Sequence, residues 1–171
     1  TGSVSMVFTS LCLGIAIGSG IVVSQFYGAK DEEGTALAIR NGTMITILST
    51  LMISILALLV TKPILLLLNT PASLLEDSIN YMSISLGGLV VVILYYIPFS
   101  VLRSLGDAKT PIIFLVVCSI LNIAFDLVFI LIFHTGVEGT AIASLLAQGI
   151  AGILCFIYAI RKYSCFETAF K

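Results

Sequence analysis

The residue in this chain best placed to do chemistry is a single acid, Asp126, which lies between Phe125 and Leu127 in a long apolar run. Asn122 stands one helical turn before it, and Ser119 extends the same face of a helix. An ionised carboxylate surrounded by hydrocarbon is costly unless it is paired, so an acid at such a position is a functional candidate. The sequence therefore directs attention to the environment of Asp126.

A second polar stripe runs along the last apolar segment at four-residue spacing, through Thr140, Ser144, Gln148 and Gly152. A carboxyl group in such surroundings can bind and release a proton. Together with an amide oxygen and a hydroxyl it also makes a ligand set suited to a hard cation such as sodium. Both roles stay open, and either would couple ion movement to a conformational change. No other metal or cofactor is expected.

The elements that carry these residues must lie in lipid. Of 171 residues, 59% are hydrophobic and 10% are charged, whereas an ordinary soluble domain has about 25% charged residues. Lys and Arg number 8 against 9 Asp and Glu, so there is no basic excess to attract nucleic acid. This composition excludes a soluble globular enzyme, a disordered tail and a nucleic-acid binder, and makes membrane lipid the surrounding partner.

Long runs without charge predict an all-α membrane protein, because a helix needs about 20 apolar residues to cross the hydrocarbon. The run 63–75 is too short and begins at Pro63, so we expect a short extension near the membrane surface that ends at Asn69-Thr70-Pro71. Five transmembrane helices are predicted, over about 5–27, 42–61, 78–102, 111–134 and 138–160.

The basic residues predict the orientation of these spans. Lys62 and His134 alone fall on one side. Cytoplasmic loops carry the excess of Lys and Arg, so the loops that contain Lys30 and Arg103 should face the cytoplasm and the amino terminus the outside. The other side collects seven basic residues: Lys30, Arg40, Arg103, Lys109, Arg161, Lys162 and Lys171.

The polar residues of different spans also share a depth. At 1.5 Å per residue, Asp126 lies roughly 15 Å below the outer end of its span, Ser144 about 9 Å and Tyr81 about 5 Å. Short loops favour antiparallel neighbours, so the fourth and fifth spans can face each other. We expect Asp126, Asn122 and Ser144 to form one oxygen-rich pocket in the outer half of the membrane.

Small and aromatic residues receive structural interpretations. Ser10, Gly14 and Gly18, spaced four apart, should let helices approach closely. Pro98 should kink the third span, and Tyr95 and Tyr96 should anchor its end at the interface. Cys12, Cys118 and Cys155 read as small buried hydrophobes. Thr43, Thr46, Thr50 and Ser54 share one face of the second span, as a packing surface or as the wall of a hydrophilic cavity.

Four motifs resemble one transporter family. The run from Gly14 to Asp31, GIAIGSGIVVSQFYGAKD, resembles the second-helix signature of multidrug and toxic compound extrusion (MATE) transporters. Residues 102–111, LRSLGDAKTP, resemble the loop between that family's fourth and fifth helices. Residues 122–126, NIAFD, and 136–148, GVEGTAIASLLAQ, resemble its fifth and sixth helices. The matching segments cover nearly the whole chain in the family's order.

The resemblance implies a fold of twelve helices in two lobes, of which residues 1–171 would be the amino-terminal lobe without its first helix. It places the cation site on Tyr81, Asn122, Asp126 and Ser144. With lower weight, Gln148, Thr140 and Thr50 are expected to line the cavity. An acid at position 126 resembles the DinF-like branch. The partner acid on the first helix and the whole second lobe would be missing, so this chain alone should not alternate access.

The chain departs from the family's pattern at three positions. Leu127 follows the acid of the fifth helix, where many members have proline. Ser144 stands where threonine is common, which preserves the hydroxyl. Pro98 lies nearer the loop than the usual proline of the fourth helix, which leaves the bend of that span open.

The sequence predicts part of a cation-coupled antiporter that is driven by protons or sodium. It would export drugs or other organic, often cationic, compounds across the plasma membrane, and the bacterial inner membrane is the expected location. One alternative is a flippase of lipid-linked or amphiphilic cargo, which a cavity lined by basic residues would favour. Another is a membrane helix module that does not transport. An intramembrane enzyme is not expected, because Ile17 precedes the Gly18-Ser19-Gly20 sequence where a rhomboid-like protease has glycine, and an aspartyl protease needs two intramembrane acids.

Overall fold

A computed structural model describes residues 2–68, 71–133 and 136–170, and within them the chain is helical and without strands. The predictions that concern Asn69, Thr70, His134 and Lys171 lie outside the described residues. Seven helices occupy the described ranges: α1 (Gly2–Gly28), α2 (Glu32–Leu67), α3 (Ala72–Gly87), α4 (Leu89–Ser104), α5 (Lys109–Leu131), α6 (Gly136–Lys162) and α7 (Ser164–Ala169).

Five segments of the described chain are long and apolar enough to cross a membrane: Ser3–Gly28, Glu32–Leu67, Leu74–Ser104, Lys109–Leu131 and Glu138–Lys162. Many large apolar side chains point outward, and α5 is the extreme case, with Ile113 61% and Ile120 62% exposed. In water such a surface would be unstable, whereas lipid solvates it without cost. The expected fold class, an all-α membrane protein with five transmembrane helices, is confirmed.

The sequence predicted a separate surface element after Pro63, and the structure shows that this prediction is wrong. α2 continues through Pro63 to Leu67, because lipid offers a backbone no alternative to helical hydrogen bonds and a proline removes only one donor. The side chain of Leu65 is 1% exposed and packs with Met82 and Leu86. Tertiary packing therefore extends this helix beyond the point where the sequence pattern indicated its end.

The third span is divided at Gly88 and not at Pro98. Gly88 ends α3 and precedes α4, while Pro98 lies inside α4, which is one continuous helix over Leu89–Ser104. A Cβ atom at Gly88 would collide with the side chain of Leu145 on α6. The interruption therefore falls where the Leu145 side chain of α6 packs against the backbone.

α6 packs against α4 along a line of small side chains. Gly152 touches the backbone of α4, since an added Cβ would lie 2.9 Å from Tyr95 Cα. Small residues at four-residue spacing allow this approach. The residues of the line are each fully buried: Ala143, Ala147, Ala151, Cys155 and Ala159.

The small residues of α1 contribute differently from the prediction. A Cβ on Gly14 or Gly18 would meet no atom within 4 Å, so these two do not mediate a helix contact in the described structure. Gly20 does, since a Cβ there would lie 2.7 Å from Ser104 Oγ on α4. Gly42 on α2 does so as well, since a Cβ there would lie 3.0 Å from Ser19 Cβ on α1. The interpretation of the three membrane cysteines is confirmed: Cys12, Cys118 and Cys155 are free and buried.

The chain ends with a short helix that the sequence did not predict. α7 begins at Ser164, and its Phe166 is completely buried in a cluster that includes Val23 from α1, Ile39 from α2 and Leu102 from α4. The amino-terminal end of α2 and the carboxyl-terminal ends of α1, α4 and α6 therefore meet at one end of the bundle.

Candidate functional site

The centre of the candidate site is a hydrogen bond between α5 and α6. Asn122 donates from Nδ2 to Ser144 Oγ at 2.9 Å, and both side chains are half-buried. An amide that donates through its nitrogen keeps its oxygen Oδ1 as an acceptor. The structure thus brings together two of the four residues expected at the cation site.

Asp126 lies one turn further along α5 on the same side. Its carboxylate is half-buried, and Oδ1 is inaccessible and has no hydrogen-bond partner among the described residues. A buried oxygen without a donor is uncommon in folded proteins and calls for an explanation, such as an ion or a water. Oδ1 is therefore an acceptor without a donor among the described residues.

The pairing of α5 with α6 sets the level of the other polar residues. Asn122 bonds Ser144, and nearer the opposite end Thr110 bonds Tyr158 at 3.5 Å. The helices are antiparallel, so this register puts Asp126 level with Thr140. Thr140 is half-buried. By the same register Gln148 stands level with Cys118, and its Oε1 is buried without a partner among the described residues.

Ser119 does not join this face, contrary to the sequence expectation. It is exposed and donates to the carbonyl of Leu115 in its own helix at 3.0 Å. Helical spacing places Ser119 on nearly the same face as Asp126, but no neighbouring helix covers its side chain. A hydroxyl bonded to its own helix in this way is tolerated in hydrocarbon.

Tyr95 was expected at the membrane interface and is instead buried. It is 2% exposed and packs with Cys118, Ala147 and Ala151, between α4, α5 and α6. Its hydroxyl is buried and has no partner among the described residues. The interpretation as an interface anchor is therefore wrong for Tyr95. Tyr95 is covered because Gly152 lets α6 approach α4 at this position. The residue pattern of α4 alone does not show this approach.

Tyr81 is separated from the acid. It packs at the edge of a core cluster that contains Met82 and Leu86, on α3. α6 contacts both α3 and α5, whereas α3 and α5 do not touch each other in the described chain. The direct link from this part of α3 to α6 is Asn80, which donates from Nδ2 to Glu138 Oε1 at 2.9 Å. Neither residue of that pair was singled out from the sequence.

Thr50 lies elsewhere, on the buried face of α2. Thr43, Thr46, Thr50 and Ser54 are all buried, so they share one face as predicted. Ser54 donates from Oγ to the carbonyl of Leu86 on α3 at 2.6 Å. α2 does not contact α5 or α6 in the described chain. The structure thus does not bring Thr50 to the Asp126 site.

A second polar cluster ties the α4–α5 loop to the end of α6. Asp107 accepts hydrogen bonds from Lys162 Nζ at 2.7 Å, from Thr110 Oγ1 at 2.7 Å and from the Tyr163 hydroxyl at 3.2 Å. Burial would raise the pKa of this carboxyl, but the hydrogen bonds from Lys162 and Thr110 outweigh it and hold the pKa well below its ordinary value. Sequence reasoning noted this loop only as a motif.

The chemistry of the Asp126 site is that of neutral and anionic oxygens. Within the described residues, no group of three or more His, Cys, Asp or Glu side chains could hold a metal ion. One carboxylate, one amide and one hydroxyl suit exchange of a proton or a weakly held monovalent cation better than permanent retention of a transition metal.

Comparison with known proteins agrees with this architecture. A family model described as MatE matches residues 1–128. The chain is 32% identical over 157 residues to "Probable multidrug resistance protein YoeA" of Bacillus subtilis (strain 168), which covers 90% of this chain and 34% of that protein. It is 34% identical over 89 residues to "Probable multidrug resistance protein YpnP" of the same organism, covering 52% of this chain and 20% of that protein.

The fold is similar to solved structures as well. The crystal structure of a MATE protein in complex with MaD5 superposes with a TM-score of 0.86 at 24% identity, covering 94% of this chain and 37% of that one. The chain therefore spans between about a fifth and a third of the length of its curated relatives. The five spans cover 34–37% of the solved MATE chains, which is consistent with half of that fold. The match of the family model over residues 1–128, on a bundle of this architecture, shows that the chain belongs to the multidrug and toxic compound extrusion (MATE) family.

Proposed function

We propose that this chain forms part of a cation-coupled antiporter that exports drugs or other organic compounds, and that Asp126, Asn122 and Ser144 form its coupling site. The observation that carries the proposal is the arrangement of these three residues: the Asn122–Ser144 hydrogen bond of 2.9 Å stands one turn from a buried, unpartnered oxygen of Asp126. The relatives named as probable multidrug resistance proteins support export of drugs as the direction of function.

The coupling follows from charge. Without a cation, the Asp126 carboxylate is an unpaired charge in a half-buried position, which is costly in hydrocarbon. A proton neutralises the carboxylate. A sodium ion, as the transported coupling ion, would be bound by the carboxylate, the Asn122 oxygen and the Ser144 oxygen. Either event removes the free-energy cost of an unpaired carboxylate in apolar surroundings and lets α5 and α6 pack more closely. This change in packing would release the exported compound.

The orientation belongs to the same proposal. The Asp107–Lys162 ion pair of 2.7 Å holds the loop after Arg103 against the end of α6, and α7 packs on the start of α2. The loops that contain Lys30 and Arg103 therefore lie at the same end, together with most of the basic residues. By the positive-inside rule this end faces the cytoplasm, in the plasma membrane, with the bacterial inner membrane expected. The family transports and does not catalyse, so no enzymatic activity is proposed.

The experiment is an efflux assay on the full-length transporter in proteoliposomes. A proton gradient or a sodium gradient is applied separately, and release of a cationic dye is followed by fluorescence. Asp126→Asn keeps the shape of the side chain and removes its charge and its capacity to exchange a proton, so gradient-driven efflux should be lost while the amount of folded protein stays the same.

The matched control is Asp77→Asn, the same change at an exposed acid of α3. This variant should transport like the unmodified protein. Unchanged gradient-driven efflux in Asp126→Asn would remove Asp126 from the coupling mechanism.

A second candidate function has one observation in its favour. α1 and α4 enclose a groove of about 530 Å³ with an apolar lining, and Arg103 lies among the residues that line it. An apolar groove with one cation suits an amphiphile with an anionic headgroup, as a flippase would carry. Movement of a fluorescent anionic lipid across the same proteoliposomes, lost in Arg103→Gln and retained in Asp126→Asn, would favour the flippase over the drug exporter.

A further inference from the structure

A small space lies at the junction of α1, α2 and α4. Its volume is about 10 Å³, which is close to the smallest space that holds one water molecule. Four hydroxyl side chains line it: Ser19 from α1, Thr43 and Thr46 from α2, and Ser100 from α4. None of the lining residues belongs to α5 or α6, so this space is separate from the Asp126 site.

Three of these hydroxyls are already hydrogen-bonded. Thr46 donates to the Gly42 carbonyl at 2.7 Å, and Ser100 donates to the Ala16 carbonyl at 2.9 Å. Ser19 Oγ lies 3.3 Å from Thr46 Oγ1. These bonds hold the hydroxyl oxygens in place while leaving lone pairs that can accept a further hydrogen.

Thr43 is the exception. Its side chain is 8% exposed, it lines the space, and its Oγ1 has no hydrogen-bond partner among the described residues. Thr46 and Thr61 of the same helix donate to the carbonyl four residues earlier, the usual solution for a hydroxyl in lipid. Thr43 does not do so, although a buried hydroxyl without a partner is costly.

We propose that this space holds one ordered water molecule that hydrogen-bonds to Thr43 and to the neighbouring hydroxyls, and so connects α1, α2 and α4. A buried water makes about three hydrogen bonds, and the four hydroxyls offer enough donors and acceptors. The lining contains no carboxylate. A cation would therefore be an uncompensated charge in hydrocarbon, which makes water the occupant and excludes sodium.

The water has a route of exchange. Ala16, Gly20 and Ser100 line both this space and the larger groove between α1 and α4. Gly20 and Gly42 bring the helices together on either side of the space, and side chains as small as serine leave it unfilled. The water is therefore built into the helix junction, and the groove, whose lining reaches Arg103, gives it a path toward the basic end of the bundle.

The first test is solid-state NMR of the full-length transporter in lipid bilayers, with threonine labelled with ¹³C and ¹⁵N. Magnetisation is transferred from water protons, and its arrival at individual threonines is timed. Thr61 is the control, because it is also buried on α2 (2% exposed against 8% for Thr43), bonds its own helix and does not line this space. Transfer to Thr43 should be several-fold faster than to Thr61, and equal rates at the two residues would overturn the proposal.

The same spectra distinguish water from a cation. Replacing sodium chloride with choline chloride should leave the Thr43 signals unmoved. A shift confined to Thr43 and Thr46 on removal of sodium would make the space a cation site and would also overturn the proposal.

The second test is the sign of a stability change. Thr43→Val replaces the hydroxyl with a methyl group of similar size. If water is bound, the substitution removes one of its partners and the melting temperature falls. If the space is dry, the substitution removes an unsatisfied hydroxyl and the melting temperature rises, which contradicts the proposal. The NMR comparison uses the unmodified protein, so it stands even where the variant fails to fold.

Discussion

The contact between Gly152 of α6 and the backbone of α4 gives a prediction with a magnitude, the substitution Gly152→Ala. The added Cβ would lie 2.9 Å from Tyr95 Cα and 3.1 Å from Tyr95 N, where ordinary contact begins at 3.4 Å. The atoms it meets are backbone, so no rotamer change relieves the overlap. Instead α6 must move away from α4 by about half an ångström, an overpacking strain of the kind that cores tolerate poorly.

The expected cost follows from two opposing effects. Overpacking a well-packed core costs about 1–3 kcal/mol, and alanine gains up to about 1 kcal/mol over glycine in helix propensity. Subtracting the gain leaves a net destabilisation of about 0–2 kcal/mol, and the middle of that range, about 1 kcal/mol, corresponds to a fall in melting temperature of roughly 2–4 °C for a chain of this length. Because Ser144 is on the helix that moves, its hydrogen bond to Asn122 should lengthen as well.

A thiol-reactive dye measures this unfolding directly. Cys12, Cys118 and Cys155 are free and buried, so they react only as the bundle opens, whereas the half-buried Cys165 gives a constant background; the rise in fluorescence above that background during heating gives the midpoint. Gly14→Ala is the control, because a Cβ at that position meets no atom within 4 Å, and its midpoint should stay the same or rise. If the midpoint of Gly152→Ala matched that of Gly14→Ala, the close approach of α4 and α6 would be refuted.

Two further predictions concern the Asp107 cluster and the α5–α6 hydrogen bond. The pKa of Asp107 is lower in the folded than in the unfolded chain, so its ionised form adds stability above about pH 4, and this contribution is lost as the pH falls toward the folded pKa. Asp107→Asn should therefore lower the melting temperature at pH 7 and flatten its decline in acid. Light scattering follows both effects, and an unchanged acid profile would exclude this role. Ser144→Ala removes the acceptor of Asn122 and should lower the free energy of unfolding by about 0.6 kcal/mol, the average for such bonds in membranes. Ser144→Thr should keep both the stability and the gradient-driven efflux of the full-length transporter. An equal loss of stability and efflux in the two variants would show that the size of the side chain, and not its hydroxyl, matters.

The polar face of α2 illustrates how far periodicity alone reaches. Four-residue spacing was enough to predict that Thr43, Thr46, Thr50 and Ser54 share one face, because a helix repeats nearly every four residues. Whether that face would form a cavity or a packing surface depended on which helices cover it. The structure shows a buried face with one water-sized space beside Thr43 and Thr46.

The pair Asn122 and Ser144 illustrates what the sequence predicted of the candidate site. Their distances from the ends of adjacent spans gave a common depth, and a short loop made the helices antiparallel neighbours. These two facts suffice to bring the side chains together, and the structure joins them by a hydrogen bond. Tyr81 lies on α3, which does not contact α5 in the described chain although α4 of the same span does, and counting residues along single helices does not reveal which part of a span meets its neighbour.

By itself, the sequence determined the solvent, the helical class and the face of each helix that carries polar groups, because these depend on composition and on the fixed geometry of one helix. Only the tertiary structure decided that Tyr95 is buried, that the break in the third span falls at Gly88 and that α2 runs on to Leu67. Each of these depends on the surface of a neighbouring helix, on Gly152, Leu145 or Met82, and packing between residues far apart in the chain leaves no local pattern in the sequence.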